Sequence, residues 1–221
     1  MIFPRMLGRP GGQVYLNQYS DSWIQSWISR NCKGVMPEQS PTLDAHVCQR
    51  MVEECHRYYG LEWSWGGWME NRSTLWRGSY MDKDDRYIHL GVDFNAYEGT
   101  HVHLDRPGQV LLIDDDHPEE HGWGKRVFIR LAEVPIVLLY AHIDTVCKKA
   151  SHLQQGSQLG TIAPPRHNGG WYPHVHVQAM STDRYKEFRN DPAGLDGYGQ
   201  FGRVPALARE FPDPMQFVRV S

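Results

Sequence analysis

The sequence predicts a mainly β protein, a β-sandwich or barrel with a helical N-terminal extension. Three observations carry that expectation. From Tyr87 onward, short apolar runs alternate with Gly, Pro and Asp, at His89–Phe94, Val102–Leu104, Val110–Ile113, Val127–Leu131, Ile136–Tyr140, Leu159–Ile162 and Val175–Met180. Before residue 60 the apolar residues recur instead at helical spacing. After Met180 the chain turns polar and rich in Gly and Pro through Gly202, which reads as a tail wrapped around the domain. The expected division is 1–79 for the extension, 80–180 for the β domain and 181–221 for the tail.

The elements follow in order. Residues 1–20, with their Gly, Pro and polar groups, read as an extended arm. Asp21 and Ser22 suit the cap of a short helix in which Trp23/Trp27 and Ile24/Ile28 repeat at i, i+4. Residues 31–38 connect it to a longer helix with Ser40 at the N-cap, Pro41 at its first position and Gly60 just past its end. Leu43, Val47, Cys48, Met51, Val52, Cys55 and Tyr59 form its apolar stripe, and its His46 and His56 are expected at the surface. Between Leu61 and Tyr80 stand Trp63, Trp65, Trp68 and Trp76, around Gly66-Gly67 and Glu70-Asn71-Arg72. That stretch is either a packed loop or one wall of a groove. The acidic run from Asp114 to His121 reads as a solvated hairpin tip, and a last short helix is expected at Val204–Glu210.

Composition narrows the function. With 221 residues, 40% hydrophobic and 22% charged, the chain suits an ordinary globular domain. A net charge of −3 provides no basic face for nucleic acid. No run approaches the roughly eighteen apolar residues of a membrane span. The first ten residues lack the apolar core of a signal peptide, so the chain either stays in the cytoplasm, the location expected from its sequence, or leaves by another route, or the sequence is that of a mature form. Four cysteines are too few for a disulfide scaffold. Cys48 and Cys55, two turns apart on a helix, would sit about 10 Å from each other, too far to bridge. Buried free thiols are expected.

Three patterns carry chemistry. His174-Val175-His176 lies on an apolar strand, where alternate residues share a face, so the two imidazoles project into one site. On a strand His89 and Asp93 would also face the same way. Leu138-Leu139-Tyr140-Ala141-His142 is an apolar strand that ends on a histidine. Each is weak alone; with twelve histidines a His-x-His is expected about once by chance, and His101/His103 is a second one.

Taken together in this order, His-x-x-x-Asp, Tyr-x-His and His-x-His resemble the lysostaphin-type zinc endopeptidases. The likeness runs from about Arg86 to Met180 and includes Gly99-Thr100-His101-Val102, similar to the family's Gly-Thr-Pro-Val, and Gln155-Gly156-Ser157-Gln158-Leu159-Gly160. The resemblance implies a fold like the duplicated hybrid motif. It implies a Zn²⁺ cofactor held by His89, Asp93 and His176, with His142 and His174 as catalytic partners, general base and oxyanion donor in either order. It further implies a metalloendopeptidase whose substrate is a peptide, by family the peptide cross-links of peptidoglycan.

One stretch near the last motif departs from the family pattern. Trp171-Tyr172-Pro173 stand where members carry small residues, which crowds one side of the groove. In some latent members an upstream asparagine takes the metal's fourth position, and Asn71 is the residue whose place suits that. The alternative function is a non-catalytic module of the same fold that binds a peptide or a partner enzyme. A third, a sugar-phosphotransfer carrier with paired histidines, would have no need of Asp93 beside His89.

Overall fold

Alternation along the strands builds two sheets around one core. The computed structural model describes residues 1–3, 8–14, 22–32, 39–116, 122–190 and 195–220. Its strands are β1 (Gly11–Gln13), β2 (Trp63–Gly66), β3 (Ile88–His89), β4 (Val92–Asn95), β5 (His101–His103), β6 (Gly108–Asp116), β7 (Gly124–Leu131), β8 (Ile136–Ala141), β9 (Ile143–Thr145), β10 (His152–Leu153), β11 (Gln158–Ile162), β12 (His174–Ser181) and β13 (Tyr198–Gly199). Helices are α1 (Ser22–Asn31), α2 (Ala45–Tyr59), α3 (Ser73–Trp76), α4 (Thr182–Phe188) and α5 (Val204–Glu210). Eight strands form the main sheet in the order β1-β2-β4-β12-β8-β7-β6-β10. A three-stranded sheet, β5-β11-β9, packs on one of its faces. The fold is mainly β, as the strand pattern predicts.

Each strand sorts its side chains by parity. Val175, Val177 and Ala179 of β12, Val92 and Phe94 of β4, and Leu138 and Tyr140 of β8 enter the core shared with Val102, Ile143, Leu159 and Ile162 of the smaller sheet. The opposite parity, Val137, Leu139, Ala141 and Met180, meets Leu195, Leu207 and Phe211 from the C-terminal segment. The polar members of that same parity, His174, His176 and Asp93, lie towards one end of this face. A further cluster joins Trp23 and Trp27 of α1, Cys48, Met51, Val52 and Cys55 of α2, and Leu75 of α3 to Trp171 and Tyr172 just before β12.

Several expectations need correction. Ser40 caps a short 3₁₀ turn, Pro41–Leu43, and the N-cap of α2 is Asp44, whose carboxylate accepts from the His46 and Val47 amides. Gly60 closes α2 in the left-handed conformation at φ 67°, as expected. Leu43 and Tyr59, at the ends of the expected stripe, are exposed, whereas His56 is buried and bonded through Nε2 to Ser64 Oγ at 2.7 Å. Burial holds its pKa down at about 4. The stretch His89–Phe94 is two strands rather than one, interrupted at Leu90-Gly91, because β3 pairs with β13 while β4 enters the main sheet. None of the four cysteines is in a disulfide, with Cys48 and Cys55 buried and Cys32 and Cys147 half-buried. Half of the arm at 1–20, the Asp21 cap, most of the connection at 31–38 and the tip of the acidic run at 117–121 lie outside the described residues.

Candidate metal centre

Strand register assembles the site. β12 runs antiparallel to β4 on one side and β8 on the other, with His176 opposite both Asp93 and Ala141. Directly opposed residues bring their Cβ atoms within roughly 5 Å, so the Asp93 carboxylate and the His176 ring are neighbours by construction. His174, two residues earlier, shares the face. His142 follows Ala141 at the corner where the chain leaves the main sheet for the smaller one. It sits at φ 61°, a left-handed conformation unusual for a residue with a Cβ and typical of functional sites. Its amide donates to Trp123 O and its carbonyl accepts from Ala163, and these bonds hold the corner. His89 arrives from β3, across the break at Gly91. All five candidate residues are buried in one place.

The outer hydrogen bonds set which ring nitrogens face inward. His89 Nδ1 lies 3.0 Å from Gly67 O, His174 Nδ1 2.8 Å from Tyr172 O, and His142 Nδ1 3.4 Å from His167 O. A carbonyl only accepts, so each Nδ1 carries the proton and each Nε2 presents a lone pair. His176 is reversed. Its Nε2 meets Gln178 Oε1 at 3.1 Å, because the Gln178 amide nitrogen faces Asp196 O, and its Nδ1 is therefore the inward lone pair.

Three unprotonated atoms thus converge. His89 Nε2 to His176 Nδ1 is 3.0 Å, His176 Nδ1 to Asp93 Oδ1 is 3.0 Å, and His89 Nε2 to Asp93 Oδ1 is 3.4 Å. Zinc bonds of 2.0–2.2 Å in tetrahedral array separate ligand atoms by about 3.3 Å, so the triangle has the size the ion requires. Lone pairs facing one another at this range repel unless a cation lies among them. These three residues are the group of metal-binding type found among the described residues. The donor set and its spacing fit Zn²⁺.

Electrostatics keep the donors available. Burial, and then the nearby Arg72, push His89 down to about 3. Burial, with His174 and His176 close by, holds His142 well below the ordinary histidine range. Burial likewise lowers His174, against the pull of Asp93 and the Tyr172 carbonyl. For Asp93 burial works upward, but His89, Arg72 and His174 outweigh it and keep the carboxyl well below the usual range. At neutral pH His89, His142 and His174 are neutral and Asp93 is charged.

His142 and His174 stand beside the triangle, ring centroids 4.7 Å apart, with His174 Nε2 3.7 Å from Asp93 Oδ1. Trp123 stacks on His142 at 6.0 Å and meets His176 edge-on at 5.3 Å. The centre opens into a cavity of about 420 Å³ whose walls include Trp76, Tyr80, Trp123, Trp171 and Tyr198. Part of the 61–80 stretch is therefore wall, contributed by Trp76 and Tyr80. Trp171, in the departure from the family pattern, packs on Trp76 at 4.9 Å and narrows that side. Asn71 is not among the cavity residues; its side chain accepts from the Ser73 amide. Its neighbour Arg72 reaches the site instead, donating to Asp93 Oδ2 at 2.6 Å. His101 and His103 stack on each other in the smaller sheet and take no part. Sequence reasoning names Arg72 only as part of a loop or groove wall and passes over Trp123 and Tyr198; a buried arginine between two acids at 70 and 93 leaves no periodic trace.

Comparison with known proteins agrees with the motifs. The model of peptidase family M23 matches residues 87–188. No match was found among curated proteins. Among solved structures, the catalytic domain of the prophage-encoded M23 protein EnpA from Enterococcus faecalis is 24% identical, covering 42% of this chain and 68% of that one, with a TM-score of 0.35. The catalytic domain of lysostaphin from Staphylococcus simulans is 18% identical over 55% of this chain and 80% of that one, TM-score 0.38. A zinc-containing peptidase from Vibrio cholerae is 22% identical over 44% of this chain and 28% of that one, TM-score 0.38. Over residues 87–188, a little under half of its length, the chain is thus similar to peptidase family M23.

Proposed function

We propose that the chain is a zinc-dependent peptidase that hydrolyses peptide bonds, with the peptide cross-links of peptidoglycan as its substrate class. The observation that carries this reading is the convergence of His89 Nε2, Asp93 Oδ1 and His176 Nδ1 at 3.0–3.4 Å, each with its lone pair inward. Three protein ligands leave a fourth tetrahedral position open, the mark of catalytic rather than structural zinc. When bound there, Zn²⁺ supplies a Lewis acid that lowers the pKa of water towards about 7 and polarises a carbonyl.

The remaining chemistry falls to the protein. His142 and His174 are neutral and aim Nε2 at the site, so one accepts the proton of the attacking water. That proton then passes to the departing amine, while the other histidine, once protonated at Nε2 from solvent, donates to the oxygen that becomes negative. Their Nδ1–H bonds to His167 O and Tyr172 O hold the rings in the required tautomer. Trp123, Trp76 and Trp171 exclude water and offer flat surfaces to a peptide. The substrate reading rests on the family alone, and the crowded wall at Trp171 favours a slender peptide over a bulky one.

The competing reading is a binding module without catalysis. Incubating zinc-loaded protein with peptidoglycan and with defined cross-link peptides, and following new amino termini, separates the two. New termini that disappear with His142→Ala support the enzyme. Retained zinc without cleavage of any peptide tested would favour the module.

A further inference from the structure

We propose that Arg72 is the positioning residue of the metal centre, holding Asp93 in its ligating pose from outside the family-matched segment. The inference rests on the metal-site reading above and goes beyond it, because the three inward atoms alone do not explain what keeps them in place. Asp93 divides its two oxygens between two duties. Oδ1 belongs to the triangle, while Oδ2 accepts from Arg72 Nη1 at 2.6 Å. A carboxylate held by one oxygen pivots freely unless the other is anchored, and Arg72 is that anchor.

Arg72 is itself clamped. It is 2% exposed, and its Nε donates to Glu70 Oε2 at 3.1 Å. Its Nη1 also lies 3.4 Å from Tyr198 Oη, which accepts from Trp76 Nε1 at 2.8 Å. The planar guanidinium therefore spans two buried carboxylates with two different nitrogens, a geometry that a lysine ammonium cannot reproduce. Gly67 makes room for it. A Cβ at that position would collide with Arg72 Nη2 and lie 2.7 Å from His89 Nδ1. Gly67 O meanwhile accepts from His89 Nδ1, so the short segment 67–72 supports two of the three ligands.

Glu70, Arg72 and Trp76 precede the matched segment 87–188, and Tyr198 follows it. Support for the metal site is thus drawn from both flanks. Removing a second-layer partner of this kind costs about 10–100-fold in metal affinity.

The test compares the full chain with Arg72→Lys. Far-UV circular dichroism and thermal unfolding establish folding, chelator competition gives the zinc Kd, and the visible spectrum of the Co²⁺-substituted protein reports ligand geometry. A folded Arg72→Lys protein should bind zinc about 10–100-fold more weakly and show a shifted Co²⁺ spectrum. Arg72→Gln is read by the same criteria should Arg72→Lys fail to fold. A folded variant with lower thermal stability but wild-type zinc Kd and Co²⁺ spectrum would overturn the proposal and leave the metal site intact. Wild-type protein that takes up neither zinc nor cobalt would overturn the metal-site reading, and the proposal with it.

Discussion

One methyl group added at Gly91 should dismantle the metal site while the sheets still form. A Cβ there would lie 2.6 Å from His176 Cε1, His176 Nε2 and Val177 O. Ordinary contacts between such atoms fall at about 3.5–4.0 Å, so roughly 1 Å of movement is required. The backbone cannot supply it. Val177 pairs with Val92 and Tyr140 in the middle of the main sheet, and its oxygen is fixed by that ladder. The His176 ring must move instead, and it is tied to Gln178, Asp93 and His89. Displacing it by 1 Å opens a triangle whose sides are 3.0–3.4 Å. The expected result for Gly91→Ala is a zinc Kd raised about 10–100-fold. Peptide hydrolysis should fall by about 100-fold, and overpacking should cost about 1–3 kcal/mol of stability. Chelator competition and urea unfolding measure affinity and stability separately. A Gly91→Ala protein that binds zinc as tightly as wild type would show that His176 does not ligate through the ring pose described.

Other perturbations discriminate between neighbouring roles. Asp93→Ala or His176→Ala should abolish zinc binding, and near-stoichiometric metal in either would show the ligand set to be wrong. His142→Ala should keep its zinc but lose about 10²–10⁴-fold in hydrolysis, and undiminished turnover would remove it from the mechanism. Tyr140, although part of the Tyr-x-His motif, points into the core, and its hydroxyl has no partner among the described residues. Tyr140→Phe should therefore leave zinc affinity unchanged and raise stability by about 1 kcal/mol; weakened zinc binding would place the hydroxyl in the site after all. His56 is buried neutral, with a folded pKa of about 4 against about 6.5 when unfolded. Below pH 6.5 the unfolded chain takes up the proton first, so the stability His56 contributes is lost as pH falls from about 6.5 to 4. Metal-free protein should show that loss in urea titrations, diminished in His56→Gln. Identical acid profiles for the two would contradict it.

What the sequence discloses follows its periodicities. Strand β12 is legible because Val175, Val177 and Ala179 alternate with His174, His176 and Gln178, and parity alone puts the two histidines together. The join between His89 and Asp93 is legible in outcome but not in form. A single strand would align residues i and i+4; here Gly91 breaks it, and the two side chains converge from different sheets. His142 is found by its place after an apolar strand, yet its left-handed turn is a property of the corner between sheets. Local signals compete near α2, where both Ser40 and Asp44 are good caps and each caps something. The roles of Arg72, Trp123 and Tyr198 escape notice because their partners are far away in the chain. Arg72 meets Asp93 and Tyr198 across 21 and 126 residues, and no spacing rule reaches that far.

The measurement that bears most directly on the metal centre is the zinc content of the purified chain, by elemental mass spectrometry, beside that of His176→Ala. The convergence of three inward lone pairs predicts about one zinc per chain in the wild type and little in the variant. Absence of metal from the wild type, after zinc is supplied at pH 7–8 where the imidazoles are neutral, would contradict the site and the peptidase reading built on it.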